Sequence, residues 1–146
     1  MRERLRGGWR RTLPVAAAAA LAGCGASPIT PERLERAIAP TFANLMHTQV
    51  LWLGLTPVAA ASFGVSATCR KAVGGSAGSG EWICTLRWTS PEGQALRDVY
   101  DLFVTPDGCY AATVEGESLG APTITALDGR RVRNLLYAFE GCFDKG

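Results

Sequence analysis

The side chains able to do chemistry are few and widely spaced. His47 is the only histidine in the 146 residues. A general base needs a partner within hydrogen-bond reach and a pocket around it. Yet positions 43, 44, 50 and 51, its i±3 and i±4 neighbours on a helix, hold no Asp or Glu. Asp98, Asp101 and Asp107 lie along one expected hairpin and its turn, where a carboxylate site would need them to converge. Asp98 and Asp101 fall on opposite strand faces, and Asp107 belongs to the turn Thr105-Pro106-Asp107-Gly108. No serine stands in G-x-S-x-G; Gly75-Ser76-Ala77-Gly78 and Gly78-Ser79-Gly80 read as loop composition. No phosphate loop, EF-hand loop or H-E-x-x-H is present. Cys69, Cys84, Cys109 and Cys142 are separated by 15, 25 and 33 residues, whereas zinc sites draw on close pairs such as C-x₂₋₄-C. In an exported chain an even set of this kind reads as two disulfides, with three possible connectivities. No catalytic residue, metal or cofactor is therefore expected, and the protein is not expected to be an enzyme.

The elements that carry these residues follow from capping and periodicity. Thr30-Pro31-Glu32 is a helix start, with a hydroxyl N-cap, proline at the first position and an acid in the first turn. Pro40 is expected to break or kink the helix, with Thr41 recapping its second half. Ile38, Phe42, Leu45, Met46, Trp52 and Leu53 share one arc with Gln49 as the polar exception, while Asn44, His47 and Thr48 lie opposite. Gly54 and Pro57 close the helix. Val65, Ala67 and Cys69 then alternate with polar residues. Beyond the Gly/Ser loop 74–80, Trp82, Cys84, Leu86 and Trp88 alternate with Ile83, Thr85 and Arg87. Pairing these runs with partners that sum to 153 sets Val65 against Trp88, Ala67 against Leu86 and Cys69 against Cys84 on one face. Opposed residues lie within disulfide range. The apolar pattern and the cysteines thus select the same register, Cys69–Cys84 is the preferred bridge, and Cys109–Cys142 follows by elimination.

Between 97–104 and 109–115, a bulged turn pairs Val104 with Tyr110. Tyr100, Leu102, Val104, Tyr110, Ala112 and Val114 then share one face. Asp101, Thr105, Thr113 and Glu115 take the other with Phe103, and Cys109 points away from the main apolar face. In the tail, 123–127 reads as a short strand. Val132, Leu135, Leu136 and Phe139, at i, i+3, i+4 and i+7, read as a short helix ended by Gly141; a strand entering a hairpin at Asp128-Gly129 is the alternative. The whole is an α+β layer pair, an N-terminal amphipathic helix on an antiparallel sheet of about four strands with a short C-terminal strand and helix. Cystatin-like and NTF2-like domains share that outline. Trp52, Trp82, Trp88, Tyr100 and Tyr110 each fall on a face read as buried, which makes core packing the first reading. The second is that some line a groove between helix and sheet for an apolar or sugar ligand.

The first 24 residues carry an address. Arg2, Arg4, Arg6, Arg10 and Arg11 against Glu3 precede an apolar run from Leu13 to Ala22, interrupted by Pro14. Ten residues fall far short of the ~20 that span a bilayer. Leu21-Ala22-Gly23-Cys24 follows and resembles the lipobox of bacterial lipoproteins, which implies a diacylglyceryl group on Cys24 and cleavage before it. On that reading 1–23 is a lipoprotein signal peptide, 24–30 a lipid-attached tether and 31–146 a single domain. Arg10-Arg11-Thr12-Leu13 leaves both the general and the twin-arginine export routes open. Loss of 1–23 leaves 15 − 5 = 10 basic and 13 − 1 = 12 acidic side chains, near −2. That balance argues against nucleic acid and against charge alone as the membrane anchor. Asp107-Gly108-Cys109-Tyr110-Ala111-Ala112 and Phe139-Glu140-Gly141-Cys142-Phe143-Asp144 are similar to pieces of small uncharacterised disulfide-containing lipoproteins of high-G+C Gram-positive bacteria, across roughly residues 41–144. That resemblance implies no activity.

The expectation is a lipid-anchored protein on the extracytoplasmic face of the cell membrane. It would act as a binding or accessory module for an envelope or transport complex, with an envelope protein or a small apolar or sugar ligand as partner. A structural envelope lipoprotein without a ligand site is the alternative, and an enzyme the third reading. Replacing Cys24 by Ala removes the thiol that would carry the lipid. Intact-mass spectrometry of the detergent-extracted protein should show a lipidated chain starting at Cys24, and the Cys24→Ala protein should accumulate as precursor or be shed.

Overall fold

The structure, a computed structural model, describes residues 28–143; the segment 1–23, Cys24 and residues 25–27 of the tether lie outside them. Among the described residues, helix α1 (Pro31–Trp52) comes first. The Thr30 hydroxyl accepts from the Arg33 N–H, Pro31 stands at the first position, and Glu32 lies in the first turn. The break expected at Pro40 does not occur. Pro40 sits on the exposed side of a continuous 22-residue helix. Instead of recapping, Thr41 turns its hydroxyl back to the Ala37 carbonyl at 2.9 Å. The Tyr110 hydroxyl donates to Thr41 Oγ1 at 3.1 Å, so the sheet grips the helix at its proline.

Seven strands follow: β1 (Ser66–Lys71), β2 (Gly80–Thr89), β3 (Ala95–Val104), β4 (Cys109–Val114), β5 (Thr123–Thr125), β6 (Arg131–Arg133) and β7 (Ala138–Cys142). Five form an antiparallel sheet in the order β1-β2-β3-β4-β7, and β5 and β6 form a separate ribbon. The sheet has five strands rather than about four. Cys69 faces Cys84 and Ala67 faces Leu86, the register that the apolar alternation demands. Val104 faces Tyr110, with the Thr105 N–H donating to the Cys109 carbonyl across the bulged turn. Helix α1 lays Leu34, Ile38, Phe42, Met46 and Val50 on the inner face. Phe42 is the hub there, its ring centre 4.9 Å from Trp88 and 5.9 Å from both Tyr100 and Phe139.

Disulfides join Cys69 to Cys84 and Cys109 to Cys142. The first ties edge strand β1 to β2 beneath the helix, and the second ties edge strand β7 to β4 on the outer face. Loops of these lengths give roughly 3–4 kcal/mol each by chain-entropy arithmetic. The Cys69 N–H, at the free edge of β1, donates to Glu35 Oε1 of the helix at 2.8 Å.

The tail departs from expectation. Val132, Leu135, Leu136 and Phe139 form no helix; they are shared among β6, a turn at 134–137 and β7. A helix there would carry Cys142 away from Cys109 and Phe139 off the core. Pairing 138–142 with β4 satisfies both and adds the backbone bonds of a fifth strand. Gln49 and Asn134, the buried polar side chains among the described residues, hold the excursion between β4 and β7 in place. Gln49 Oε1 accepts from the Leu135 N–H at 2.8 Å, and Asn134 Nδ2 donates to the carbonyls of Leu119 and Ala121. The Tyr100 hydroxyl donates to the Leu136 carbonyl at 2.6 Å.

Gly141 lies within β7, directly opposite Tyr110, rather than at a helix end. A Cβ there would come within 2.4 Å of Tyr110 Oη and 2.6 Å of Cζ. Tyr110 is buried and held by Thr41, so the ring has little room to retreat. Gly141→Ala should cost about 1–3 kcal/mol, as overpacking does. Urea denaturation should show a lowered midpoint with an unchanged slope.

Candidate binding surfaces

The residues singled out by type do not gather into one site. Trp82, Trp88, Tyr100 and Tyr110 are buried, and their rings fill the core under α1 rather than opening into a groove. Burial pushes both tyrosine hydroxyls above the usual range, Asp98 adding to the effect at Tyr100. Trp52 alone reaches solvent. Asp98 accepts from the Ser118 hydroxyl, Asp101 stands on the outer sheet face, and Asp107 accepts from Thr105 within its turn. His47 is not the free surface residue that its place opposite the apolar arc suggested. It is half-buried, with Nδ1 2.7 Å from the Val58 carbonyl. The chain reverses at Gly54, in the left-handed conformation, and runs back along this side of the helix through the 3₁₀ turn Ala60–Phe63.

Two open surfaces stand out among the described residues. The first lies at the C-terminal end of α1, where Leu51, Trp52 and Leu55 are exposed beside Leu127 at the tip of the β5–β6 turn. Leu127 is 77% exposed and Trp52 37%. The Leu127 N–H donates to the Trp52 carbonyl at 2.8 Å. Its side chain lies over Gly54, where any Cβ would come within 2.5 Å of Cδ2. Leu51, Trp52, Ala126, Leu127 and Val132 line a groove of about 700 Å³, with Asp128 and Arg130 at its rim. Arg130 Nε donates to Asp128 at 2.6 Å and holds that carboxyl below its usual range. Arg131 and Arg133 project from the other side of the ribbon, since strand side chains alternate. Sequence reading named Trp52 as a possible groove residue but not its neighbours in this patch. Its one local signal was an apolar residue directly before Asp128-Gly129, a position that puts Leu127 on a turn.

The second is the outer face of the five-stranded sheet, opposite α1. Phe103 stands on the central strand β3, 57% exposed, between Glu81 of β2 and Ala111 of β4. Beside it a depression of about 490 Å³ is bordered by Asp101, Glu81, Ala111 and Thr113. Desolvation, then the like charge of Asp101, pushes the Glu115 carboxyl above its usual range, while Arg70 pulls the other way. Glu140 extends the acidic surround across Ala111. At the other end of this face Arg87 and Arg97 stand directly opposite each other.

No protein-family model, no curated protein and no solved structure matches the chain. The surfaces must therefore be judged by their own chemistry. The His47 contact also has a measurable consequence. His47→Ala should destabilise by about 1 kcal/mol, the net worth of one hydrogen bond. An exposed side chain would give no more than about 0.5 kcal/mol, and urea denaturation separates the two.

Proposed function

We propose that the chain is an extracytoplasmic lipoprotein, held at the membrane through lipid on Cys24. Its domain serves as a binding or accessory module of an envelope or transport complex. Leu21-Ala22-Gly23-Cys24 supports the anchor, and two disulfides suit an oxidising compartment. The cystatin-like or NTF2-like outline, a helix laid across an antiparallel sheet, is a scaffold shared by unrelated activities and decides nothing about function. We read the protein as a binder rather than an enzyme, because Asp98, Asp101 and Asp107 do not converge and its histidine is engaged with a backbone carbonyl.

The observation that carries this reading is Phe103. A phenylalanine more than half exposed on the middle strand of an open sheet contributes little to the core, and it stands beside a depression within an acidic surround. Aromatic side chains at the centre of a patch are the usual anchors of protein interfaces. The charge around it selects the partner, an envelope protein that offers an apolar side chain flanked by Lys or Arg.

A photo-reactive amino acid at position 103 tests the surface in intact cells, with position 73, an exposed valine of the Gly/Ser loop, as control. One discrete adduct is expected from 103 and none from 73, and Asp101→Lys should suppress it. Phe103→Glu should weaken the purified complex about 30-fold, the loss of an anchor worth ~2 kcal/mol. Equal labelling from both positions, or none from 103, would leave the structural-lipoprotein alternative.

A further inference from the structure

The patch at the end of α1 is unused by the fold and lies on a different part of the molecule from Phe103. Its position relative to the tether is set by the helix. Ile29 is buried just before the N-cap, with its carbonyl accepting from the Gly78 N–H. The 22 residues of α1 place Trp52 about 33 Å from that end. Between Cys24 and Ile29 the chain reaches at most about 18 Å.

We propose that Leu51, Trp52, Leu55 and Leu127 form a second membrane contact, seated in the headgroup and acyl boundary of an anionic bilayer. The composition is that of an interfacial site: three leucines to enter the acyl region and an indole for the headgroup level. Leu127 projects from a turn, the shape that enters a bilayer. At the groove itself Arg130 is paired with Asp128, and Arg131 and Arg133 project from the opposite side of the ribbon; the ribbon as a whole carries a local excess of +2, which favours an anionic surface although the domain beyond Cys24 carries near −2. The exposed line of α1 between the two ends holds Glu32, Arg36, Pro40 and Asn44, with one charge of each sign. A helix lying along an anionic surface is therefore not repelled by it.

The proposal rests on the lipoprotein reading in one respect. A lipid on Cys24 keeps the patch at high effective concentration near the bilayer, so a contact too weak to bind alone becomes occupied. With α1 against the membrane, the outer sheet face points away from it, because α1 covers the opposite face of the sheet.

The test uses the full detergent-purified protein reconstituted into vesicles of phosphatidylcholine and phosphatidylglycerol, with and without bromine on the acyl chains. Bromine quenches indoles that reach the acyl region, and Trp82 and Trp88 are buried in the core. Wild type should lose a third or more of its Trp52 emission, read as the difference from Trp52→Phe. Leu127→Glu should reduce that loss several-fold with an unchanged circular dichroism spectrum; its side chain is exposed, so the fold tolerates the change. Lipidated protein that floats with vesicles yet shows no difference from Trp52→Phe would overturn the contact and spare the anchor. Quenching by protein whose mass lacks lipid would sustain the contact and remove the anchor. An unquenched Trp52 with a photo-crosslinker at 127 capturing one envelope protein would assign the patch to a protein and overturn the proposal.

Discussion

The structure depends on the cross-strand register between β1 and β2. With Cys69 opposite Cys84, the inner face carries Ala67 and Cys69 of β1 beside Trp82, Cys84, Leu86 and Trp88 of β2, and the outer face is mostly polar. A slip of one residue would turn Trp82, Leu86 and Trp88 to solvent and separate the sulfurs. The same register passes through β2 to β3, where Tyr100 faces Cys84 and Leu102 faces Trp82. It continues to β4, where Val114 faces Tyr100. Each hairpin inherits its inner face from the one before. The helix then has a continuous apolar floor, and Phe42 meets three strands at once.

A sheet of this size cannot close on itself, so its edges and its excursion need separate fastening. Each disulfide joins an edge strand to an interior neighbour. The excursion from 115 to 137 puts Leu136 into the core and packs Leu119 and Tyr137 against it, and it is fastened further by polar bonds from buried side chains. Gln49, Asn134 and Tyr100 all bond its backbone, and no buried side-chain nitrogen or oxygen among the described residues lacks a partner. The polar exception on the apolar arc of α1 is thus the residue that docks the tail. This arrangement attaches the separate ribbon of β5 and β6 at its base, while the Leu127 N–H fastens its tip to the Trp52 carbonyl.

Legibility in the sequence follows the range of the interactions. The helix start was visible because capping is local, and both hairpin registers were visible because alternation, turn chemistry and cysteines agreed. The helix across Pro40 was not, because the contact with Tyr110 lies 69 residues away along the chain from Thr41. Positions 132, 135, 136 and 139 misled for a related reason. Their helical spacing arises equally from a ribbon, a turn and a strand, and only the presence of β4 decides between them. His47 was misplaced because a wheel knows nothing of the segment that returns after Gly54. Of the open surfaces, Phe103 was placed on the polar face by alternation. The patch around Trp52 required knowing where the turn at 127 lands.

The bond from the Cys69 N–H to Glu35 bears on life at high density. Under the proposed lipid anchor, copies would share a two-dimensional surface and meet far more often than in free solution, and a bare strand edge in such a crowd is a template for polymerisation. Here a carboxylate from α1 occupies the middle of the β1 edge. A strand arriving from a neighbour would have to displace a charged acceptor before its first backbone bond could form. The helix is thus both the roof of the core and a guard on the sheet, which would let domains anchored as proposed crowd together as separate molecules.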